Sequence, residues 1–261
     1  MDARSHLKQG ELASTTQKLV QDVKANPTNI QSRTLLFEVL CFAGEFKKAI
    51  RQLEVLESQD KPNELGIQVY KNLLLAEEKR DQVFSYGGGP EFFCPPSPYV
   101  ESLLAAIKYM GESRYEEARG LLEATCQDWP NVSGDMNGQH FSSLRDCYDL
   151  LAPVLEVMIS SQYYWVPWDT IKRLSIETPK YLRDLFWVQA KLVLREGQDL
   201  QVFVPVLYPR SFTSLEENVK LGRETIWEKL SDGVVVGKGQ RLIEIDESEY
   251  PLLEIKTLEF T

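Results

Sequence analysis

Gly44-Glu45-Phe46-Lys47-Lys48-Ala49 is the stretch on which the reading of the N-terminal half turns. Gly10-Glu11-Leu12 stands 34 residues before its start, and Asn26-Pro27 returns as Lys61-Pro62 at an offset of 35. Farther on, Phe46-Lys47-Lys48-Ala49 is echoed by Tyr115-Glu116-Glu117-Ala118, and Asn26-Pro27 by Trp129-Pro130. A period near 34 residues is the length of a tetratricopeptide helix–turn–helix unit. Gly10 and Gly44 fall where a first helix hands over to a second, a step that favours a residue tolerant of positive φ. The aromatic residue and the alanine at i and i+3 share one face of the second helix, where a large side chain packs beside a small one at a close crossing. Pro27, Pro62 and Pro130 each stop a helical pattern. Leu12, Leu19 and Val23 recur at helical spacing, as do Leu36, Val39, Leu40 and Ala43, then Ile50, Leu53 and Leu56.

Outward from these repeats, Ser85-Tyr86-Gly87-Gly88-Gly89-Pro90 and Cys94-Pro95-Pro96-Ser97-Pro98 break the helical pattern. It resumes over Tyr99 to Met110 and Arg114 to Cys126. Residues 128–139 are polar and rich in Gly, Asn and Asp, the texture of a loop. A helix is expected from Ser143 to Met158, bent at Pro153. A second is expected to open at Thr178-Pro179, with Thr178 as cap, Leu182, Leu185, Phe186 and Leu192 facing inward, and Gly197 ending it. Short β runs follow at Val202 to Leu207, Val234 to Val236, Arg241 to Ile245 and Leu253 to Lys256. Gly237-Lys238-Gly239-Gln240 reads as the hairpin turn between the middle two. Helix-forming sequence from Leu215 to Leu230 makes this half α+β. The expected architecture is multidomain α and β. A tetratricopeptide-like α-superhelix spans residues 1–140, and a smaller α+β C-terminal domain spans residues 141–261.

The chain has 261 residues and a formal charge of −10, which argues against a nucleic-acid partner because phosphate neutralisation needs a concentrated basic surface. No apolar stretch follows Met1-Asp2-Ala3-Arg4-Ser5-His6, so no secretory signal is expected. The longest apolar run, Leu150 to Ile159, is interrupted by Pro153 and Glu156 and falls short of the roughly 20 residues a bilayer requires. Cys41, Cys94, Cys126 and Cys147 lie far apart, and read as free buried thiols in a reducing compartment. A soluble cytoplasmic protein, without a membrane partner, is the expectation.

Chemistry is sparse. The two histidines, His6 and His140, sit at a frayed terminus and beside a polar loop, with no nucleophile signature to serve. No His/Cys cluster has metal-ligand spacing, and Asp146 with Asp149 reads as a solvated helix face. Gly87-Gly88-Gly89 lacks the Lys-Ser/Thr ending of a phosphate loop, and Gly237-Lys238-Gly239 lacks its leading glycine. No catalytic, cofactor-binding or metal residue is therefore assigned. The density of Tyr163-Tyr164-Trp165-Val166-Pro167-Trp168 stands out instead, as either a domain-interface core or a binding patch, core being the plainer reading. Arg183 and Trp187 at i and i+4 would meet in a cation–π contact along one helix, with Asp184 free for a buried ion pair. These look like residues that lock the two halves together.

The second half resembles the ImpE proteins, also called TagJ or SciE-type, which accompany certain type VI secretion systems. The blocks that carry the resemblance are Tyr163-Tyr164-Trp165-Val166-Pro167, Leu182-Arg183-Asp184-Leu185 with Trp187, and Val202-Phe203-Val204-Pro205-Val206-Leu207-Tyr208-Pro209. They continue through Leu221-Gly222-Arg223-Glu224-Thr225 with Trp227, then Gly239-Gln240-Arg241, and close at Leu253-Glu254-Ile255. Together they cover about residues 145 to 260. Ile226 departs from the family pattern, which has an acidic residue before Trp227.

The resemblance implies an accessory protein in the bacterial cytoplasm, not known as enzymatic. It implies contact with a short helical segment of the sheath small subunit, and a bearing on how the sheath is built or recycled by its AAA+ ATPase. A helical-repeat groove that receives an amphipathic helix suits that role. The competing expectation is a hydrolase or transferase with a site around Arg183, Asp184, Tyr208 and Arg223. Tyr163, Tyr164, Trp165, Trp168, Arg183, Asp184, Trp187, Tyr208 and Arg223 are the candidate interaction or domain-locking residues.

Overall fold

Asp2 opens the first helix, α1 (Ala3–Lys8), by accepting the Ser5 amide at 2.8 Å. The chain then turns at Gly10, φ +84°, into α2 (Leu12–Ala25). Asn29 caps α3 (Ile30–Phe42) through the Ser32 amide, and Gly44, φ +70°, turns it into α4 (Phe46–Gln59). Leu12, Leu19, Leu36, Val39, Leu40, Phe46, Ala49, Leu53 and Leu56 are all buried, as their spacing requires. Two helical hairpins thus follow at the repeat offset. A long helix, α5 (Glu64–Tyr86), ends at left-handed Gly87. Past the Gly/Pro connector, α6 (Pro98–Gly111) and α7 (Tyr115–Thr125) make a third hairpin, turned by Ser113 at φ +60°. The structure, a computed structural model, describes residues 1–231 and 234–261.

Sheet structure begins at Gly134, within the segment expected as a loop and ahead of the expected start of the C-terminal half. Asn137 and Gly138, both at positive φ, fold β1 (Gly134–Met136) onto β2 (Gln139–Phe141). Four further antiparallel strands are β3 (Leu144–Asp146), β4 (Val154–Ile159), β5 (Gln162–Pro167) and β6 (Ile171–Ile176). β7 (Trp187–Leu194) and β8 (Asp199–Pro205) follow. After the short helix α8 (Glu217–Lys220) come β9 (Thr225–Ser231), β10 (Val234–Gly239), β11 (Leu242–Ile245), β12 (Ser248–Pro251) and β13 (Thr257–Phe260). One eight-stranded sheet has the order β2-β1-β13-β6-β7-β8-β4-β5; β12-β11-β3 and β10-β9 form two smaller ones. α5 lies against β4 and β5, and one apolar core runs through both halves.

Several expected helices are strands. Val154–Ile159 is buried on both faces, and such a continuous apolar run fits a central strand as well as a helix. Pro153 and the β-branched Val154, Val157 and Ile159 decide for the strand. The helix expected from Thr178 shrinks to one 3₁₀ turn, Leu182–Leu185. Beyond it Val188, Ala190, Leu192 and Leu194 turn inward while Gln189 and Lys191 face solvent, a period of two. Helical sequence expected to Leu230 stops at α8, where Gly222 takes φ +67°. The expected turn at Gly237 is instead the middle of β10, which pairs with β9. Gly237 lies opposite Trp227, and a Cβ there would stand 2.8 Å from that ring. The β9–β10 connection, Asp232-Gly233, lies outside the described residues. The last strand is Thr257–Phe260, after a 3₁₀ turn at Leu252–Glu254, where a strand had been expected. Of the cysteines, all free, only Cys41 is fully buried, and Cys126 is exposed.

The repeat glycines serve a second purpose. A Cβ on Gly44 would collide with the Phe212 ring, and one on Gly10 with the Asn218 side chain. Both turns therefore press against residues of the C-terminal half. Gly44→Ala, strained at positive φ and driven into Phe212, is expected to lose about 2 kcal/mol or more of stability in urea denaturation.

Candidate functional site

Glu156 sits at the middle of β4 with no exposed surface. A lone carboxylate there would cost several kcal/mol unless paired. Arg80, projecting from α5, supplies the main partner, donating Nε to Oε1 at 2.7 Å and Nη2 to Oε2 at 2.8 Å. The same Nη2 reaches the Leu207 carbonyl at 2.8 Å, and Nη1 donates to Glu77 Oε1 at 3.0 Å. Tyr163 on β5 donates its hydroxyl to Glu156, and Arg241, between β10 and β11, brings its guanidinium to the same carboxylate. Arg241 also stands 3.4 Å from Asp146. Trp187 completes the set, donating Nε1 to the second oxygen of Glu77 at 3.0 Å.

The cluster thus joins one helix to both larger sheets. Burial pushes the Asp146 carboxyl up to about 6 against the pull of Arg241, and lowers Arg241 to about 10. Burial also raises the Tyr163 and Tyr208 hydroxyls. Asp146 is therefore an interior group and not the solvated helix face expected from the sequence, because β3 pairs it with Ile243 of β11.

Among the aromatic block, Tyr163, Trp165 and Trp168 are buried, Trp165 donating to the Tyr163 hydroxyl and Trp168 to the Ala152 carbonyl. Tyr164 faces the other side of β5 and stacks on Phe93 of the connector at 4.7 Å. Glu91 of the same connector pairs with Tyr164 in a parallel bridge, covering the sheet edge.

Arg183 and Trp187 share no helix. Arg183 instead donates to Glu38 of α3 at 2.6 Å and lies between the rings of Tyr70 and Tyr181. Among the described residues Asp184 forms no buried ion pair; its carboxylate accepts the Lys180 and Tyr181 amides at 2.8 and 2.9 Å. Arg223 caps α1 from the far half, donating to the Lys8 carbonyl at 3.1 Å and to that of Leu7. The Tyr208 hydroxyl exchanges hydrogen bonds with the backbone of Leu242. Of Arg183, Asp184, Tyr208 and Arg223, the first two line a common cavity. The other cluster members, Glu77, Arg80, Glu156 and Arg241, and Glu38 were not singled out from sequence. Among the described residues no group of three His, Cys, Asp or Glu side chains is placed to hold a metal, and no helix is long and apolar enough to cross a membrane.

These features define a class: helical hairpins bound to an antiparallel sheet through a seam of buried charge. The crystal structure of protein VPA1032 from Vibrio parahaemolyticus has the same fold, with a TM-score of 0.92 and 23% identity over 99% of this chain and 97% of that one. Residues 138–259 match the family described as ImpE protein. Over 260 residues the chain is 31% identical to the type VI secretion system accessory component TagJ of Pseudomonas aeruginosa PAO1, spanning all of this chain and 91% of that protein. The chain belongs to the ImpE/TagJ family.

Glu156→Gln leaves two buried guanidinium groups short of counter-charge, and is expected to cost about 3–5 kcal/mol in urea denaturation. Asp146 behaves oppositely. The folded protein holds its proton more tightly than the unfolded chain, whose aspartate stays near 3.8. That stabilisation is full below the unfolded value and is lost as pH rises through about 6. Between about pH 5 and pH 8 the native protein should lose roughly 1–2 kcal/mol that Asp146→Asn does not lose, measured by denaturation at both pH values.

Proposed function

We propose that this chain is a non-enzymatic accessory protein of a bacterial type VI secretion system, working in the cytoplasm. In this reading its tetratricopeptide-like hairpins receive an amphipathic helix of the contractile sheath's small subunit. Sheath assembly, or recycling by the AAA+ ATPase, is the process it influences. The name carried by the Pseudomonas relative supports the setting. The residues around Arg183 and Glu38 hold the two halves in one arrangement, and the groove beside them does the binding.

The observation that carries the reading is an apolar cavity of about 260 Å³ between α3, α4 and α5. Phe37, Leu53, Leu56 and Ile67 line it, and Leu65 and Val69 on the adjoining turn of α5 are 86% and 40% exposed. Leu65 and Val69 are spaced i and i+4, the interval at which one helix meets the ridge of another. Gly66 sits between them on the cavity wall, and a Cβ there would meet nothing within 4 Å. No neighbour among the described residues needs that glycine. Its bare backbone leaves room for a second helix to come close, at a cost of roughly 0.5–1 kcal/mol in helix stability.

Gly66→Leu separates folding from binding, because it improves helix propensity while filling the approach. It should leave the melting temperature unchanged or higher. Affinity for the helical peptide of the sheath small subunit, measured by calorimetry, should fall tenfold or more. Unchanged affinity in Gly66→Leu and in Leu65→Glu would remove this groove from the proposal.

A further inference from the structure

Arg210 stands in the left-handed region, at φ 59° and ψ 21°, where a side chain crowds its own backbone and glycine is the residue at ease. Its neighbours hold it there. Thr213 directs both its amide and its hydroxyl to the Arg210 carbonyl at 2.9 Å, and Ser211 ties the same turn to β10 by accepting the Gly239 amide at 2.8 Å. A glycine at this position would make the turn without strain. An arginine kept there argues for a use of its side chain. The use the fold itself makes of it is slight: Nε lies 3.4 Å from Asp81, in a pair whose side chains are 42% and 32% exposed.

The side chain borders a cavity of about 370 Å³ where the end of α5, the turn between α6 and α7, and the β9–β10 hairpin meet. That volume exceeds the groove of about 260 Å³ between α3, α4 and α5. It also reaches the range of small-molecule sites, roughly 300–1,000 Å³, which favour boundaries between structural units. Phe84, Ile107 and Met110 from the helical half and Leu150 from the other give it apolar walls. Its charged lining is Arg210, Lys238 and Glu228. Lys238 and Glu228 meet at 2.7 Å and cancel, so the wall carries one excess positive charge. Asp81, outside the wall, approaches Arg210 through Nε, which leaves the two terminal nitrogens for an acceptor that takes both.

We propose that this cavity binds a small organic anion: a monocarboxylate with a short apolar body. Its carboxylate sits on Arg210, and its hydrocarbon lies against Phe84, Ile107, Met110 and Leu150. One excess positive charge matches one carboxylate. A cationic ligand would meet two cations with a single carboxylate already engaged, and a neutral one would make no use of the guanidinium. The site is separate from the helical groove and stands or falls apart from the adaptor reading.

The test uses the full chain with hexanoate, hexanol and hexylamine, by calorimetry and saturation-transfer NMR. Hexanoate should bind saturably, and the other two at least tenfold more weakly. Arg210→Gly should lower hexanoate affinity tenfold or more while the melting temperature stays unchanged or rises, because glycine takes the left-handed turn freely. An arginine that served only the fold would give the reverse: a lower melting temperature, from the lost pair with Asp81, and unchanged affinity. If Arg210→Gly does not fold, the preference among the three probes on the native chain decides. No saturable binding of hexanoate, equal binding of the three probes, or affinity that survives Arg210→Gly overturns the proposal.

Discussion

A carboxylate in the middle of a central strand is the constraint to which the rest of this fold answers. Glu156 shares one face of β4 with Val154 and Met158, while Leu155 and Val157 line the other, and all four are fully buried, so neither face offers the carboxylate solvent. Its charge must be met inside, by Arg241 from its own half and by Arg80 from the helical half. Arg80 meets it with two parallel hydrogen bonds, a geometry that tolerates little sliding of α5 over the sheet. Replacing such a cluster by apolar side chains often raises stability, so its worth lies in the single arrangement it allows.

The seam continues beyond this cluster by contacts of different kinds. Phe212 wedges against Gly44 and packs edge-on to Phe46; Arg223 closes the carbonyl end of α1; Glu217 accepts the Ala13 amide at 2.8 Å. Each pairs an element near a hairpin turn with the stretch from 212 to 223. The α-helical and β-sheet halves consequently share one core, and the turns that define the hairpins belong to the interface as much as to the repeats.

The helical hairpins were legible because their signals are local: glycine at the turn, an aromatic and alanine one face apart, proline past the end. The sheet was less so. Leu182, Leu185, Phe186 and Leu192 can be fitted to a helical face, yet the alternation from Val188 to Leu194 was equally visible and describes what forms. Gly237 looked like a turn because its requirement, the ring of Trp227 on the partner strand, is set by pairing and not by its sequence neighbours. The charge cluster joins residues from position 77 to position 241, which no local pattern unites. One trace did exist. Glu77 and Arg80 follow the apolar run Leu73-Leu74-Leu75-Ala76, and Glu156 interrupts another, which is where a charge has to find an interior partner.

Rigidity of the seam bears on how an adaptor of this build would bind. The groove takes walls from α3, α4 and α5, while Arg183 at its margin comes from the far half. Were the halves free to shift, the cation and the apolar walls would move apart, and a partner would have to restore their spacing out of its own binding energy. Glu38, held by Arg183, and Glu77, held by Arg80 and Trp187, stop that motion from two points on the helical side. On the proposed adaptor reading, the ordering cost of association would then fall on the docking segment as it seats. Modest affinity with strict register would follow, on that same reading, from such a division.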